Sequence, residues 1–178
     1  MSIEIYGWVE TRYLQNFEPW DAAIRIYALV LPRNYEMFAS LFGVKNNGDV
    51  YATEHGRFRA IAPGRGKPPG ASHWYLAERE EWEANLTPVV NESWVLWSEI
   101  AAVDWNEEAN DYLEDGFHHY VDANGEHHVA LESQPGWRPE RRGDYLTDGW
   151  ATLFKLMAEL AEHYAPYNIR LSVWFDGT

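Results

Sequence analysis

Apolar and polar positions alternate with a period of two at both ends of the chain, in Ile3-Glu4-Ile5-Tyr6-Gly7-Trp8-Val9-Glu10 and in Ile169-Arg170-Leu171-Ser172-Val173-Trp174-Phe175. Successive side chains leave a strand on opposite faces, so this spacing predicts two strands. Ile169, Leu171, Val173 and Phe175 are expected to face the core, with Arg170, Ser172 and Trp174 on the other side. The two terminal strands are expected in one sheet, with order and direction left open.

Other stretches follow the helical period. Pro32 opens a helix over Arg33 to Phe42, which Gly43 ends, and Tyr35, Phe38, Leu41 and Phe42 form its apolar side. Ser72 caps a second helix reaching about Asn85, with Pro88 closing the region. Ser93 to Val103 is a third, shorter candidate. The strongest stripe is Trp150, Leu153, Phe154, Met157, Leu160, Ala161 and Tyr164, with Thr147 or Asp148 at its start and Pro166 at its end. Asn124-Gly125, between Phe117–Asp122 and Glu126–Leu131, predicts a hairpin with a two-residue loop. Ala62–Ala71 and Ser133–Asp144, rich in Pro, Gly and Arg, read as irregular. No repeat or long linker divides the chain. The expected fold is one α+β domain over residues 1–178, mainly an antiparallel sheet that includes both terminal strands, packed by three to four helices.

Composition narrows the function classes. The 10 Trp, 11 Tyr and 7 Phe among 178 residues supply ample core material. With no cysteine there is no disulfide, thiolate metal site or cysteine nucleophile. The first residues lack a basic region followed by an apolar run, and the longest strongly apolar stretch, Ile26 to Leu31, is too short to span a bilayer. A cytoplasmic protein without membrane association is therefore expected.

The net charge of −14 is unevenly placed: residues 76–116 hold 12 acids and a single base, Arg79, whereas residues 1–75 hold 7 acids and 8 bases. Such acidity excludes bulk nucleic acid as a partner, because phosphate contacts need clustered cations. The acidic block is either a solvated face or a docking surface for a basic protein, and its Trp82, Trp94, Trp97 and Trp105 mark it as folded.

Four histidines, His118, His119, His127 and His128, lie on the hairpin. A two-residue loop would pair Asp122 with His127 and Val121 with His128, placing His119 and His128 on one face and His118 and His127 on the other. At most a His119/His128 half-site for a metal survives, needing carboxylates from elsewhere, so neither a metal nor a cofactor is expected. Asp122 opposite His127 is the better acid–base pair. The calcium-loop spacing beginning at Asp104 fails at Ala109, where a glycine is needed. Common nucleophile, metalloprotease and dinucleotide patterns are absent, so a non-enzymatic reading is preferred and catalysis is left open.

The densest basic cluster is Arg57, Arg59, Arg65 and Lys67. On a strand over Arg57 to Ala62, Arg57 and Arg59 would project from one face towards the glycine-bearing loop, a setting suited to a phosphate or carboxylate. Lys67 is followed by Pro68, so the loop is not a nucleotide P-loop. Alternatively these bases pair with the acidic block. Arg138, Arg141 and Arg142 adjoin Trp137, a candidate stacking platform for a nucleobase.

Four pieces occur in order: Arg33-Asn34-Tyr35 with Phe38, Leu41, Gly43 and Val44; Arg65-Gly66 with Pro68 and Ser72; Ser93-Trp94-Val95-Leu96 with Glu99 and Ile100; and Arg170-Leu171 with Val173-Trp174-Phe175-Asp176. Together they resemble a broad family of small uncharacterised proteins of bacteriophages and prophage regions. Lys67 departs from the apolar residue that the resemblance leads one to expect after Arg65-Gly66. The resemblance implies a protein that blunts host defence in the host cytoplasm. Two expectations follow. One is a non-enzymatic protein that captures a small anionic, nucleotide-like ligand with Arg33, Arg57, Arg59, Arg65, Lys67 and Trp137. The other is an acidic inhibitor that docks a basic host protein through residues 76–116. Self-association is compatible with both.

Overall fold

The computed structural model describes residues 3–13, 19–29, 33–44, 58–85, 89–109 and 117–177. The alternating termini form β1 (Ile3–Thr11) and β7 (Ile169–Gly177), paired antiparallel from Ile3 opposite Gly177 to Thr11 opposite Ile169. With β2 (Asp21–Arg25) and β3 (Val89–Leu96) they make an antiparallel sheet of order β2-β1-β7-β3. The helices are α1 (Tyr35–Phe42), α2 (His73–Asn85), α3 (Trp97–Ile100) and α4 (Asp148–Ala161). A second sheet, order β5-β4-β6, comprises β4 (His118–Val121), β5 (His127–Ala130) and β6 (Arg138–Pro139). The fold is α+β, as expected, and among the described residues no helix is long and apolar enough to cross a membrane.

Both faces of the two central strands of the larger sheet, β1 and β7, are largely buried. On one, Ile5, Val9, Leu171, Val173 and Phe175 pack with Phe38 of α1 and with Trp150 and Met157 of α4. Phe38 meets Phe175 and Trp150 edge-on at 5.4 and 6.3 Å, the geometry that ring quadrupoles favour. On the other, Tyr6 and Trp174 pack with Tyr75 of α2. This second face also holds a charged pair. Arg170 donates from Nε to Glu10 Oε2 at 2.7 Å, Ser172 Oγ donates to the same oxygen at 2.6 Å, and the backbone N–H of Ser72 donates to Oε1 at 2.7 Å. The Arg170 guanidinium lies 4.0 Å from the centre of the Trp20 ring.

Local chemistry explains the helix ends. α1 begins after Asn34, whose Oδ1 accepts from the Met37 N–H at 3.0 Å and whose Nδ2 donates to the Tyr145 carbonyl at 2.7 Å. It ends at Gly43, left-handed at φ 67 with its N–H on the Ala39 carbonyl. At α2, Ser72 Oγ accepts from the Tyr75 N–H, as its capping role predicts. Pro32 and Pro88 lie outside the described residues.

Three expectations are corrected. Ser93–Leu96 belongs to β3 rather than to a helix, and α3 is confined to Trp97–Ile100. Ser93 and Val95 sit opposite Val173 and Leu171 on the buried face, so pairing with β7 outweighs a locally helical spacing. Phe58–Ala62 is no strand; Ile61 and Ala62 donate instead to the carbonyls of Ser40 and Leu41. In the hairpin, Val121 pairs with His127 and Tyr120 with His128, one residue away from the expected register. Asp122 causes the shift. Its Oδ1 accepts from the N–H groups of Asn124 and Glu126, its carbonyl accepts from Gly125, and the loop takes in an extra residue.

Candidate functional site

The loop bearing Arg65 is held by β3 and α3. Gly66 N–H donates to the Glu92 carbonyl at 3.0 Å, so this glycine amide is already used within the fold. Arg65 forks onto Glu99, Nη1 to Oε2 at 2.8 Å and Nη2 to Oε1 at 2.6 Å. It also donates to the carbonyls of Trp94 and Ile61 and lies 4.8 Å from the Trp94 ring centre. Glu99 in turn accepts the Leu96 N–H at the start of α3. Arg142 is buried: it donates to Glu107 from Nε and Nη2, to Ser40 from Nη1 and to the Arg59 carbonyl from Nη2. Arg79 pairs with Glu83 and Glu92, and Arg25 with Glu78. Of the cluster over 57–67, Arg65 is thus engaged by the acidic block, as the second of the two arrangements has it, and Arg142 is engaged by it too.

The other anion-site candidates are dispersed. Arg33 pairs with Glu4 beside a cleft of about 230 Å³ walled by Tyr6, Ile26, Tyr27 and Phe38. In that cleft, burial and the nearby Asp176 and Glu4 push the Tyr6 phenol above its usual range. Arg59 is exposed and lines a separate groove of about 480 Å³ with Glu99, Asp104, Glu107 and Arg142. Lys67 is exposed and lines neither. Trp137 stacks on His128, rings 4.3 Å apart and 9° from parallel. Arg57 lies outside the described residues.

The Arg65 fork holds the Glu99 carboxyl below its usual range. At Asp144, burial is the largest influence and works the other way, but it is outweighed by the Arg138 fork, at 2.7 and 2.6 Å, acting together with the Arg141 N–H at 2.8 Å. Carboxylates depressed in the folded state stabilise it above their unfolded pKa and lose that contribution as pH falls through the folded one. The urea midpoint is therefore expected to hold from about pH 7 to 5 and to drop below about pH 4. An Arg65→Gln variant should show a shallower drop; identical curves for both proteins would contradict this role for the pair.

The hairpin histidines are redistributed by the corrected register. His119, Val121, His127 and Val129 share one face, and His118, Tyr120, His128 and Ala130 the other. The expected His119/His128 half-site is therefore overturned, because the two rings lie on opposite sides. The Asp122–His127 pair is replaced as well: His127 Nδ1 meets the buried Glu140 carboxylate, and His128 Nε2 stands 3.3 Å from Asp122 Oδ2. Two backbone N–H groups, from Glu126 and Asn124, keep the Asp122 carboxyl below its usual range.

The outer face of α2 completes the picture. Tyr75, Leu76 and Trp82 turn inward, Trp8 Nε1 donates to Glu78 at 2.8 Å, and Arg79 is drawn to Glu92. The exposed residues of α2 include Trp74, 66% exposed and stacked on His73, together with Ala77, Glu80, Glu81, Glu83 and Ala84. Trp74 is absent from the sequence-based candidates. Its signal was available, since it falls off the Tyr75–Trp82 stripe and onto the acidic side of the helix. The chain matches no family model, no curated protein and no solved structure.

Proposed function

We propose that this protein acts by binding rather than by catalysis, as an acidic interaction protein that docks a basic protein segment on the outer face of α2. The observation that carries this reading is Trp74, an indole left 66% exposed on a helix whose same side carries Glu81 two turns further along. Tryptophan is rarely left so open, and it is among the side chains that anchor interfaces. A lysine or arginine of a partner can lie on the indole while a second basic residue reaches the carboxylates further along α2, and the small Ala77 lets the partner backbone approach. The overall charge of −14 speeds the encounter with a basic surface. The small-anion reading has less support, because Arg65 and Arg142 already hold Glu99 and Glu107. The resemblance to phage and prophage proteins favours a bacterial host protein as the partner.

The test is a titration of the 15N-labelled chain with a lysine- and arginine-rich peptide. Shifts are expected to concentrate at His73, Trp74, Ala77, Glu80 and Glu81. Trp74→Ala should weaken binding by about tenfold or more, and raising salt from about 50 to 300 mM should weaken it sharply. Shifts scattered over the whole acidic surface, or binding unchanged in Trp74→Ala, would overturn the assignment to this face.

A further inference from the structure

The corrected hairpin register brings Asp122 onto the face of Glu126 and His128, from which the expected register kept it apart. Asp122 leaves β4 on the face of Tyr120, and Glu126 enters β5 on the face of His128. The donor atoms of Asp122, Glu126 and His128 lie within 4.8 Å of one another. Two of the three are held in place. Asp122 Oδ1 is anchored by the N–H groups of Asn124 and Glu126, at 2.8 and 3.0 Å, which turns Oδ2 towards the imidazole. The His128 ring is stacked on Trp137, and Tyr120 packs against the same indole with ring centres 5.8 Å apart.

The spacing within the group is informative. His128 Nε2 and Asp122 Oδ2 stand 3.3 Å apart. That is long for a hydrogen bond between charged partners, which settles near 2.7–2.9 Å. It is close to the edge of a tetrahedral coordination shell, where bonds of about 2.0–2.1 Å set neighbouring donors roughly 3.4 Å apart. We propose that Asp122, Glu126 and His128 form a binding site for a first-row divalent cation of the zinc type, with a fourth position open to water. The imidazole sets this group apart from a run of surface acids: nitrogen donors suit zinc and its neighbours, whereas calcium and magnesium take oxygen alone. One ion would bridge residues before and after the turn and clamp the two strands together.

Zinc itself is the probe, titrated into the full chain by calorimetry and by competition with a chromophoric chelator. One ion per chain is expected, with Glu126→Gln and His128→Ala each weakening binding by at least about tenfold and His119→Ala, on the opposite face, leaving it unchanged. Glu126 is exposed on the turn, so Glu126→Gln retains the fold and keeps the test decisive even where His128→Ala loosens the Trp137 stack. Hydrogen exchange across 118–130 should slow with zinc in the parent chain and stay unaltered in Glu126→Gln. Absence of binding at about 1 mM zinc, or an affinity that neither variant changes, would overturn the proposal.

Discussion

Glu10→Ala is expected to cost about 3–5 kcal/mol, enough to remove a large part of the stability of a domain of this size. Glu10 and Arg170 face each other across β1 and β7 and are 0% and 1% exposed. Burial lowers the Arg170 guanidinium below arginine's usual value, and Glu10 opposes that shift. Removing the carboxylate strands that cation in a dry layer, and the Ser172 hydroxyl and Ser72 N–H lose their acceptor as well. Chemical denaturation should show the loss directly. A double variant, Glu10→Ala with Arg170→Met, should recover much of it, because an apolar pair leaves no uncompensated charge. A loss below about 1 kcal/mol in the single variant would show that the pair is not desolvated as the structure has it.

Gly7→Ala should cost roughly 2–4 kcal/mol and lower Tm by roughly 5–15 °C. A Cβ at Gly7 would stand 2.0 Å from the Ser172 carbonyl oxygen and 2.8 Å from Val173 Cα, and the backbone there has φ +147. Both obstacles are main-chain atoms of β7, which is itself held on its far side by β3. No side chain can swing away to relieve the contact. The denaturant midpoint should fall with little change in slope, since the denatured chain is almost unaltered. A midpoint within experimental error of the parent would mean that β1 and β7 approach less closely than this register requires.

What was legible in the sequence follows from how local each signal is. The period of two in Ile3–Glu10 and Ile169–Phe175 needs no partner to be read, and the same holds for the apolar stripe of α4. The caps of α1 and α2 are equally local, because Gly43 and Ser72 act on backbone groups within one turn of themselves. The alternation in β7 placed Arg170, Ser172 and Trp174 correctly away from Phe175 and its neighbours. It did not show that their side of the sheet is buried too, because that depends on α2 and Trp20 arriving from elsewhere in the chain.

The sequence by itself determined the terminal strands, three of the helices, the hairpin and the uneven placement of acid along the chain. Only the tertiary structure decided which charges meet. Arg65 is 34 residues from Glu99, and Arg142 is 35 from Glu107. A guanidinium has the same fork whether it awaits a ligand or closes on a carboxylate of its own fold, so residue type alone leaves the two roles equal. The hairpin register was decided the same way. Asn124-Gly125 marks a turn, but whether it takes in one more residue depends on the Asp122 carboxylate folding back onto Asn124 and Glu126, and that contact is what brings Asp122, Glu126 and His128 to a single face.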